Sequence, residues 1–401
     1  MTKKYATASL ADTQEALLDA PDLLREIVRS ALQDILEAEM TEHVGAGRHE
    51  RTGMRNGYKP CMLTTRVGTL TLLVPQDRAG TFSTKLFARY QRTEKAFVLA
   101  LMEMYVVGVS TRKVARVTEE LCGTSFSKST VSALCGRLDA EIAAWRSRPL
   151  SGHTWPYLFV DARYEKVRRA GRVVSQGVLI TYGVRDDGFR EIVGVECADT
   201  ESEATYHSLF ADLKARGLSG VVLVTSDAHP GLKAAIARHF QGASWQRCQV
   251  HFDRDLLKVV ASKHRKRLAA DLKEIWTATT LPAALDVVSR VADEWRDTHP
   301  KVAEAIDEQC EECLTVLHFP AGHRLHLRTN NALERFNQEI KRRTRVVRIF
   351  PNEESCLRLV GAMCVETSEE WMSNRRFLDM DALREMLEAE REEATQLNAI
   401  S

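Results

Sequence analysis

No apolar run in this 401-residue chain approaches the roughly 20 residues needed to span a bilayer. LTLLV and VLALMEMYVV are too short, so no transmembrane helix is expected. The opening segment, MTKKYATASLADTQEALL, has two lysines but no apolar stretch behind them, so no signal peptide is expected either. An excess of one charge is also missing. Lys and Arg number 56 against 55 Asp and Glu, a formal net charge of +1. Any contact with an anionic polymer must therefore come from local basic patches and not from a global field. There is no internal repeat and no low-complexity tract. The nine cysteines are scattered and odd in number, the usage of reduced thiols in a cytoplasmic protein.

What is present suits a globular protein of two or three domains, with 44% hydrophobic and 28% charged residues. Residues 20–45 repeat apolar positions at helical spacing and stop at Gly45 and Gly47. Asn56-Gly57 signals a turn, and CMLTTRVGTLTLLVP reads as two short strands around Gly68. Arg51, Arg55, Lys59 and Arg66 with Tyr58 give this region (1–90) a basic, aromatic-bearing hairpin.

Residues 91–150 read as helical. Ser110 and Ser127 are placed to cap successive short helices, with Gly123 between them. This is the spacing of a helix-turn-helix, whose second helix would offer Lys128, Ser129 and Thr130 to the major groove. Three-helix bundles that touch no DNA share the pattern, so both readings stand.

From residue 151 the pattern becomes mixed α/β. WPYLFVDA reads as a buried strand ending in Asp161. RVVSQGVLITYGV and REIVGVECA follow as a hairpin around Asp186-Asp187-Gly188. Then come an amphipathic helix, the strand VVLVTSD ending in Asp227, the helix PGLKAAIARHF, the strand ASWQRCQV and the helix HFDRDLLKVVASKHRKRL. The order is three strands, then helix–strand–helix–strand–helix, over 151–267. Residues 268–322 read as an all-helical insertion, 323–380 as the return of the core, and 381–401 as a charged helix and tail.

RTNNALERFNQEIKRRTRVVRIFP, residues 328–351, is the most distinctive stretch, with seven Lys/Arg between Arg328 and Arg348 against Glu334 and Glu339. Helical spacing sets Glu334, Asn337 and Lys341 along one side. A carboxylate facing the same way as a basic row suits a divalent cation and a phosphate backbone lying against that face. Asp161 and Asp227 end strands that, as neighbours in a sheet, would bring both carboxylates to one edge. Two aspartates and a glutamate are the hard oxygen ligands that hold Mg²⁺ while leaving positions open for water and phosphate. Two such ions about 3.5–4 Å apart activate phosphodiester transfer.

The segments VDARYEKVR, TSDAHPGL, WQRCQVHFDR and TNNALERFNQEIKRRT resemble the signatures of the mutator-type insertion-sequence transposases, a DDE class on a ribonuclease H-like fold. RNGYKP, VPQDRAGTF and YVVGVSTRKV resemble the front half of the same family. The likeness runs in order from about residue 20 to 375. It implies Asp161, Asp227 and Glu334 as catalytic, metal-holding carboxylates, with the helical insertion between the second and third. It also implies a role near them for the C-x-x-H pair Cys248 and His251; with His229 these are expected to support the carboxylates. By residue type, Cys248 and His251 with Cys310 and Cys313 make a zinc set conceivable, but the likeness does not extend to the latter two. The sequence departs from the family pattern at Gln76 (usually arginine), Asp255 (usually asparagine) and Arg348 (commonly glycine).

DNA contacts are expected from Arg163, Lys166 and Arg168 after the first aspartate, and from Arg247 and Arg254. Along the basic segment they are expected from Arg328, Asn330, Asn331, Arg335, Asn337, Lys341, Arg342 and Arg343. The resemblance implies an enzyme that binds the terminal inverted repeats of its element and cuts and joins double-stranded DNA at repeat and target. Two Mg²⁺ ions per site are implied, with Mn²⁺ as substitute, and no organic cofactor. A homodimer or larger assembly on DNA is implied, in the bacterial cytoplasm and on the nucleoid when bound. Two alternatives remain: a ribonuclease H-like nuclease that does not join, and a DNA-binding regulator without catalysis. Nothing resembles the Arg/His/Arg/Tyr set of a tyrosine recombinase.

Overall fold

A computed structural model describes residues 21–44, 55–65, 68–78 and 138–400, with isolated positions between 82 and 136. The chain divides into two compact units, Met1–Arg137 and Leu138–Ser401; the division falls inside the block expected at 91–150. The segment with Lys128, Ser129 and Thr130, expected as a recognition helix, lies outside the described residues. Among the described residues, no helix is long and apolar enough to cross a membrane.

In the first unit, helix α1 (Pro21–Val44) packs on a hairpin of β1 (Arg55–Thr65) and β2 (Gly68–Asp77). Leu36 meets Leu63, Leu70 and Leu72, the inward positions of the alternating strands. The two strands pair up to Thr65↔Gly68, in keeping with the expected pair around Gly68. Asn56-Gly57 does not turn the chain. It forms an irregularity in the register between Arg55 and Tyr58, with Gly57 at φ +80°. Arg55 is held by Glu37 at 3.0 Å.

The second unit opens with α2 (Leu138–Arg146) and is built on a five-stranded mixed sheet. Its strands are β3 (Tyr157–Arg169), β4 (Arg172–Val184), β5 (Arg190–Ala198), β6 (Leu223–Ser226) and β7 (Ser244–Arg247), in the order β5-β4-β3-β6-β7. The β3–β4 and β4–β5 pairs are antiparallel, whereas β6 runs parallel to both β3 and β7. Helices α3 (Glu203–Ala215) and α4 (Pro230–His239) cover one face, where Leu158, Val160, Leu179 and Val224 meet Tyr206, Leu209, Phe210 and Ile236.

β3 runs further than its sequence suggested. Asp161 does not end it: pairing with β4 continues to Arg169↔Arg172, and Ala170-Gly171 make the turn, both at positive φ. What stops near Asp161 is the pairing with β6, whose last partners are Phe159 and Thr225. The charged stretch YEKVRR reads poorly as strand because one of its two inward residues, beside Val167, is Glu165, buried and ion-paired with Arg163.

The basic helix expected over 251–268 is two helices, α5 (Gln249–Val259) and α6 (Ser262–Thr277). Val260 breaks them with extended dihedrals and enters the core of the helical block. That block continues through α7 (Leu281–Arg296), α8 (Pro300–Gln309) and two short 3₁₀ turns to His318. Its own core holds Leu268, Leu272, Val291, Trp295 and Ile306. After α9 (Ala321–Leu327) come α10 (Asn331–Val347), α11 (Glu353–Ser373) and α12 (Asp381–Ile400). Aromatic contacts mark the second sheet face, where Tyr157 meets Phe319 and His323, and Tyr182 stacks on Phe159 and meets Trp371.

Candidate active site

Side-chain alternation along β3 sends Leu158 and Val160 to the α3/α4 face and Asp161 to the other, with Phe159 and Tyr157. Helix α10 approaches on that side. Leu333, Phe336 and Ile340 are buried at helical spacing, and Glu334, Asn337 and Lys341 follow on the adjacent stripe. The side-chain amide of Asn337 donates to Asp161 Oδ2 at 2.7 Å, and the Ala162 backbone N–H donates to Oδ1 at 3.0 Å. Asp227 follows β6 directly, beside β3 in the sheet.

Asp161 is only 8% exposed. Burial, then the negative charges of Asp227 and Glu334, push its carboxyl up to about 7, while the hydrogen bonds from Ala162 and Asn337 act against the rise. A buried carboxylate with two others in electrostatic reach calls for a proton or a cation. The donor set, three carboxylates and no thiolate, fits a hard divalent ion. The three do not stand at mutual ligand spacing. Among the described residues the one set of three whose ligand atoms lie within 4.8 Å of one another is His153, Asp186 and Asp187, at the β4–β5 turn. Glu334 instead accepts from Arg254 at 2.9 Å and lies 3.6 Å from His251 Nε2.

The start of α10 is pinned from two sides. Asn330 is fully buried; its side-chain amide donates to the Val160 carbonyl at 2.9 Å and its backbone N–H to Cys248 Sγ at 3.3 Å. Cys248 thus fastens the Glu334 helix to the segment after β7. Burial lifts its thiol to about 11 and pulls His251 below the ordinary histidine range. Cys310 and Cys313 complete no metal set with Cys248 and His251 among the described residues; they are buried in the helical core, Cys310 pushed up to about 12. His229 precedes α4 without capping it by its side chain. Its Nδ1 and that of His251 are buried without a hydrogen-bond partner.

A groove of about 1080 Å³ opens along this edge, lined by Asp161, Glu334, Asn337 and His251, with Lys166, Arg254, Lys341, Arg342, Arg345 and Arg348. Arg345 and Arg348 were not expected to line it; their membership of the basic helix was the available signal. The other expected DNA contacts sort by burial. Lys166, Arg168, Lys341 and Arg342 are exposed. Arg163 is committed to Glu165 and to the Asn337 carbonyl. Arg247 is buried, donating to Gln309 at 2.7 Å and lying over the Phe252 ring. Arg343 is buried against Glu339 and Glu366. Arg328 donates to the Trp276 carbonyl at 3.3 Å, and with Asn331 and Arg335 it lines a different cavity. Asn330, Arg247 and Arg343 are buried and bond within the protein, although Asn330 Oδ1 and Arg247 Nε find no hydrogen-bond partner there.

The family model described as Transposase, Mutator family, matches residues 1–374. The chain belongs to the Mutator family of transposases. It is 48% identical over 389 residues to the transposase for insertion sequence element ISRM5 of Rhizobium meliloti (strain 1021), covering 96% of this chain and 98% of that one. It is 41% identical to the transposase for insertion sequence element IS256 in transposon Tn4001 of Staphylococcus aureus, over 90% of this chain and 94% of its relative. The transposase for insertion sequence element IS406 of Burkholderia multivorans is 42% identical over 95% and 100%. Among solved structures, the Drosophila P element transposase strand transfer complex aligns with 78% of this chain and 88% of its own at 10% identity and a TM-score of 0.30, too slight a likeness to bear on the fold.

Proposed function

We propose that this member of the transposase family is a DDE enzyme on a ribonuclease H-like core, with Asp161, Asp227 and Glu334 as its catalytic carboxylates. One observation carries the reading: Asn337, a turn along the helix from Glu334, bonds Asp161 across 176 residues of sequence, and Asp227 follows the strand beside Asp161. Support for the core assignment comes from the sheet order, three antiparallel strands extended by two parallel ones. The relatives named above, all insertion-sequence transposases, support action on the ends of a mobile element.

The substrate is double-stranded DNA, bound by its terminal inverted repeats and then joined to a target. Lys166, Lys341, Arg345 and Arg348 hold its backbone along the groove, a salt-sensitive and sequence-independent contribution. Arg254 is exposed and paired with Glu334, so an arriving phosphate competes for it. Asn337 fixes the orientation of the Asp161 carboxylate, and Cys248 with Asn330 fixes where α10 begins. Two divalent cations, Mg²⁺ or Mn²⁺, held by Asp161, Asp227 and Glu334, would supply charge compensation and activation of the attacking oxygen. In the first step water opens the phosphodiester at an element end and leaves a 3′-hydroxyl. In the second that hydroxyl attacks another phosphodiester, forming one P–O bond as one breaks, with no covalent protein intermediate. Because two ends must meet, the working form is a homodimer or larger.

The test uses purified protein, Mg²⁺ and a plasmid carrying the gene with its natural flanks, beside Asp161→Asn, Asp227→Asn and Glu334→Gln. End-specific nicks and joined ends from wild type, lost in all three variants while binding persists, support the proposal. Nicks without joining favour a nuclease, and binding without chemistry in wild type favours a regulator.

A further inference from the structure

Helix α10 has a second opening on its far side, which the proposed chemistry does not use. A cavity of about 790 Å³ lies there, between the start of α10 and helices α5, α6 and α11, within the roughly 300–1,000 Å³ usual for small-ligand sites. Glu334 lines the groove, whereas its neighbour Arg335 lines this cavity.

The walls combine aromatic rings with Arg190, Lys273, Arg328 and Arg335 and with three carboxylates: Asp253, which accepts from Trp276, Glu339, which is paired with Arg342 and Arg343, and Glu370. The Arg190 guanidinium lies over the rings of Trp371 and Phe377, at 4.2 and 4.4 Å from their centroids. It makes no side-chain hydrogen bond or ion pair among the described residues; exposed Glu370 offsets part of its charge through space. Burial pulls Arg190 below the ordinary arginine range, the signature of a cation kept from water without a counter-ion in contact. Arg335 and Lys273, both exposed on its rim, likewise have no ion pair among the described residues. Trp276 is pinned, its indole N–H donating to Asp253 at 3.0 Å. A pinned indole, a ring-held guanidinium and two cations without ion pairs lining one cavity suit a ligand that has both a flat π-face and a phosphate.

We propose that this cavity receives one unpaired nucleotide of the DNA, its base against Trp276 and the Arg190 guanidinium, its phosphate toward Arg335 and Lys273. The inference rests on the DNA-cutting reading above. A nucleotide drawn out of the duplex on one side of α10 would anchor the strand whose phosphodiester lies on the other. Anchoring then comes from unstacking one nucleotide, at a cost that falls where the base is already unpaired.

The experiment measures binding of wild-type protein to duplexes from the element's ends, each with a single unpaired nucleotide at one successive position through the terminus. At one position, affinity is expected to exceed that of the fully paired duplex by about tenfold. The exposed-site variant Arg335→Ala and the core variant Trp276→Ala should each shrink that preference to under twofold, and Arg190→Lys, which keeps charge but loses the plane, should retain part of it. Equal affinity at every position while end-specific binding persists overturns the proposal and leaves the transposase reading intact. Micromolar binding of free dAMP with no preference for unpaired DNA also overturns it, as the mark of a free-nucleotide site. Failure to bind element ends in any form removes both the transposase reading and this inference.

Discussion

Asn337 donates to Asp161 Oδ2 at 2.7 Å from one turn beyond Glu334 on the same helix. The helix therefore brings both a carboxylate and the group that orients another carboxylate. Replacing Asn337 by Ala removes the orienting bond and leaves the rest of the groove in place. Strand cleavage at saturating DNA is expected to fall by about 100-fold, the scale of a misplacement near 1 Å, with DNA affinity within twofold. Single-turnover nicking beside a binding isotherm checks this; equal losses in both would show Asn337 to be a DNA contact.

The raised carboxyl of Asp161 has a consequence for stability. Its folded value, about 7, lies above its ordinary 3.8, so the folded state holds the proton more tightly than the unfolded one. Stability from this group is complete below pH 4 and is lost as pH rises toward 7. In metal-free buffer Asp161→Asn should be more stable than wild type at pH 8, by on the order of 4 kcal/mol at most, and should lose that advantage near pH 4. Mg²⁺ should raise the wild-type melting temperature more at pH 8 than at pH 5, since it competes with the proton. A pH-independent difference would contradict the assignment.

Arg348 ends α10 at φ +65°, ψ −52°, where a side chain is strained. Glycine, common here in the family pattern, is free of that cost. Arg348→Gly should stabilise the protein by about 1 kcal/mol, visible as a higher urea midpoint, and should weaken DNA binding through the lost charge. Lower stability would show that the arginine side chain contributes more to packing than its conformation costs.

The basic residues separate into two kinds. Lys166→Ala and Lys341→Ala should each lower the slope of log affinity against log salt by about one and leave the melting temperature nearly unchanged. Arg247→Ala should instead lower the melting temperature, since it leaves Gln309 and the Phe252 ring without their cation. Salt titrations and thermal melts of the three variants give the comparison.

Cys310 and Cys313 sit in the helical core with thiols pushed upward by burial. Cys310→Ser and Cys313→Ser should therefore lower stability without changing zinc content, which elemental analysis should find well under one equivalent in wild type. Stoichiometric zinc lost in both variants would reinstate a metal set.

Much of this was legible in the chain because periodicity and burial agree there. Glu334, Asn337 and Lys341 share a face because the helix buries Leu333, Phe336 and Ile340 beside them. The aspartates stood out in the sequence because each follows an apolar run, LFV before Asp161 and VVLVTS before Asp227. The outer half of β3 was not legible, since its inward Glu165 is stabilised by Arg163 and by Thr344 of α10, partners that no local pattern reveals. The roles of Arg247, Asn330 and Arg343 were hidden for the same reason: a polar residue in a basic stretch looks alike whether it meets phosphate or a buried carbonyl. Val260 closed one helix and opened another through a core contact with distant helices.

The helical block between β7 and α10 also affects timing during synthesis. Asp161 and Asp227 emerge from the ribosome well before Asn330, whose amide joins the Val160 carbonyl across 170 residues. At about 5–20 residues per second, a nascent chain spends several seconds with two acidic groups exposed and no helix to complete them. A chain truncated within the helical block carries neither Glu334 nor Asn337. On the proposed assignment, messages cut short in translation yield fragments without the full set of carboxylates, and cleavage becomes a property of finished protein.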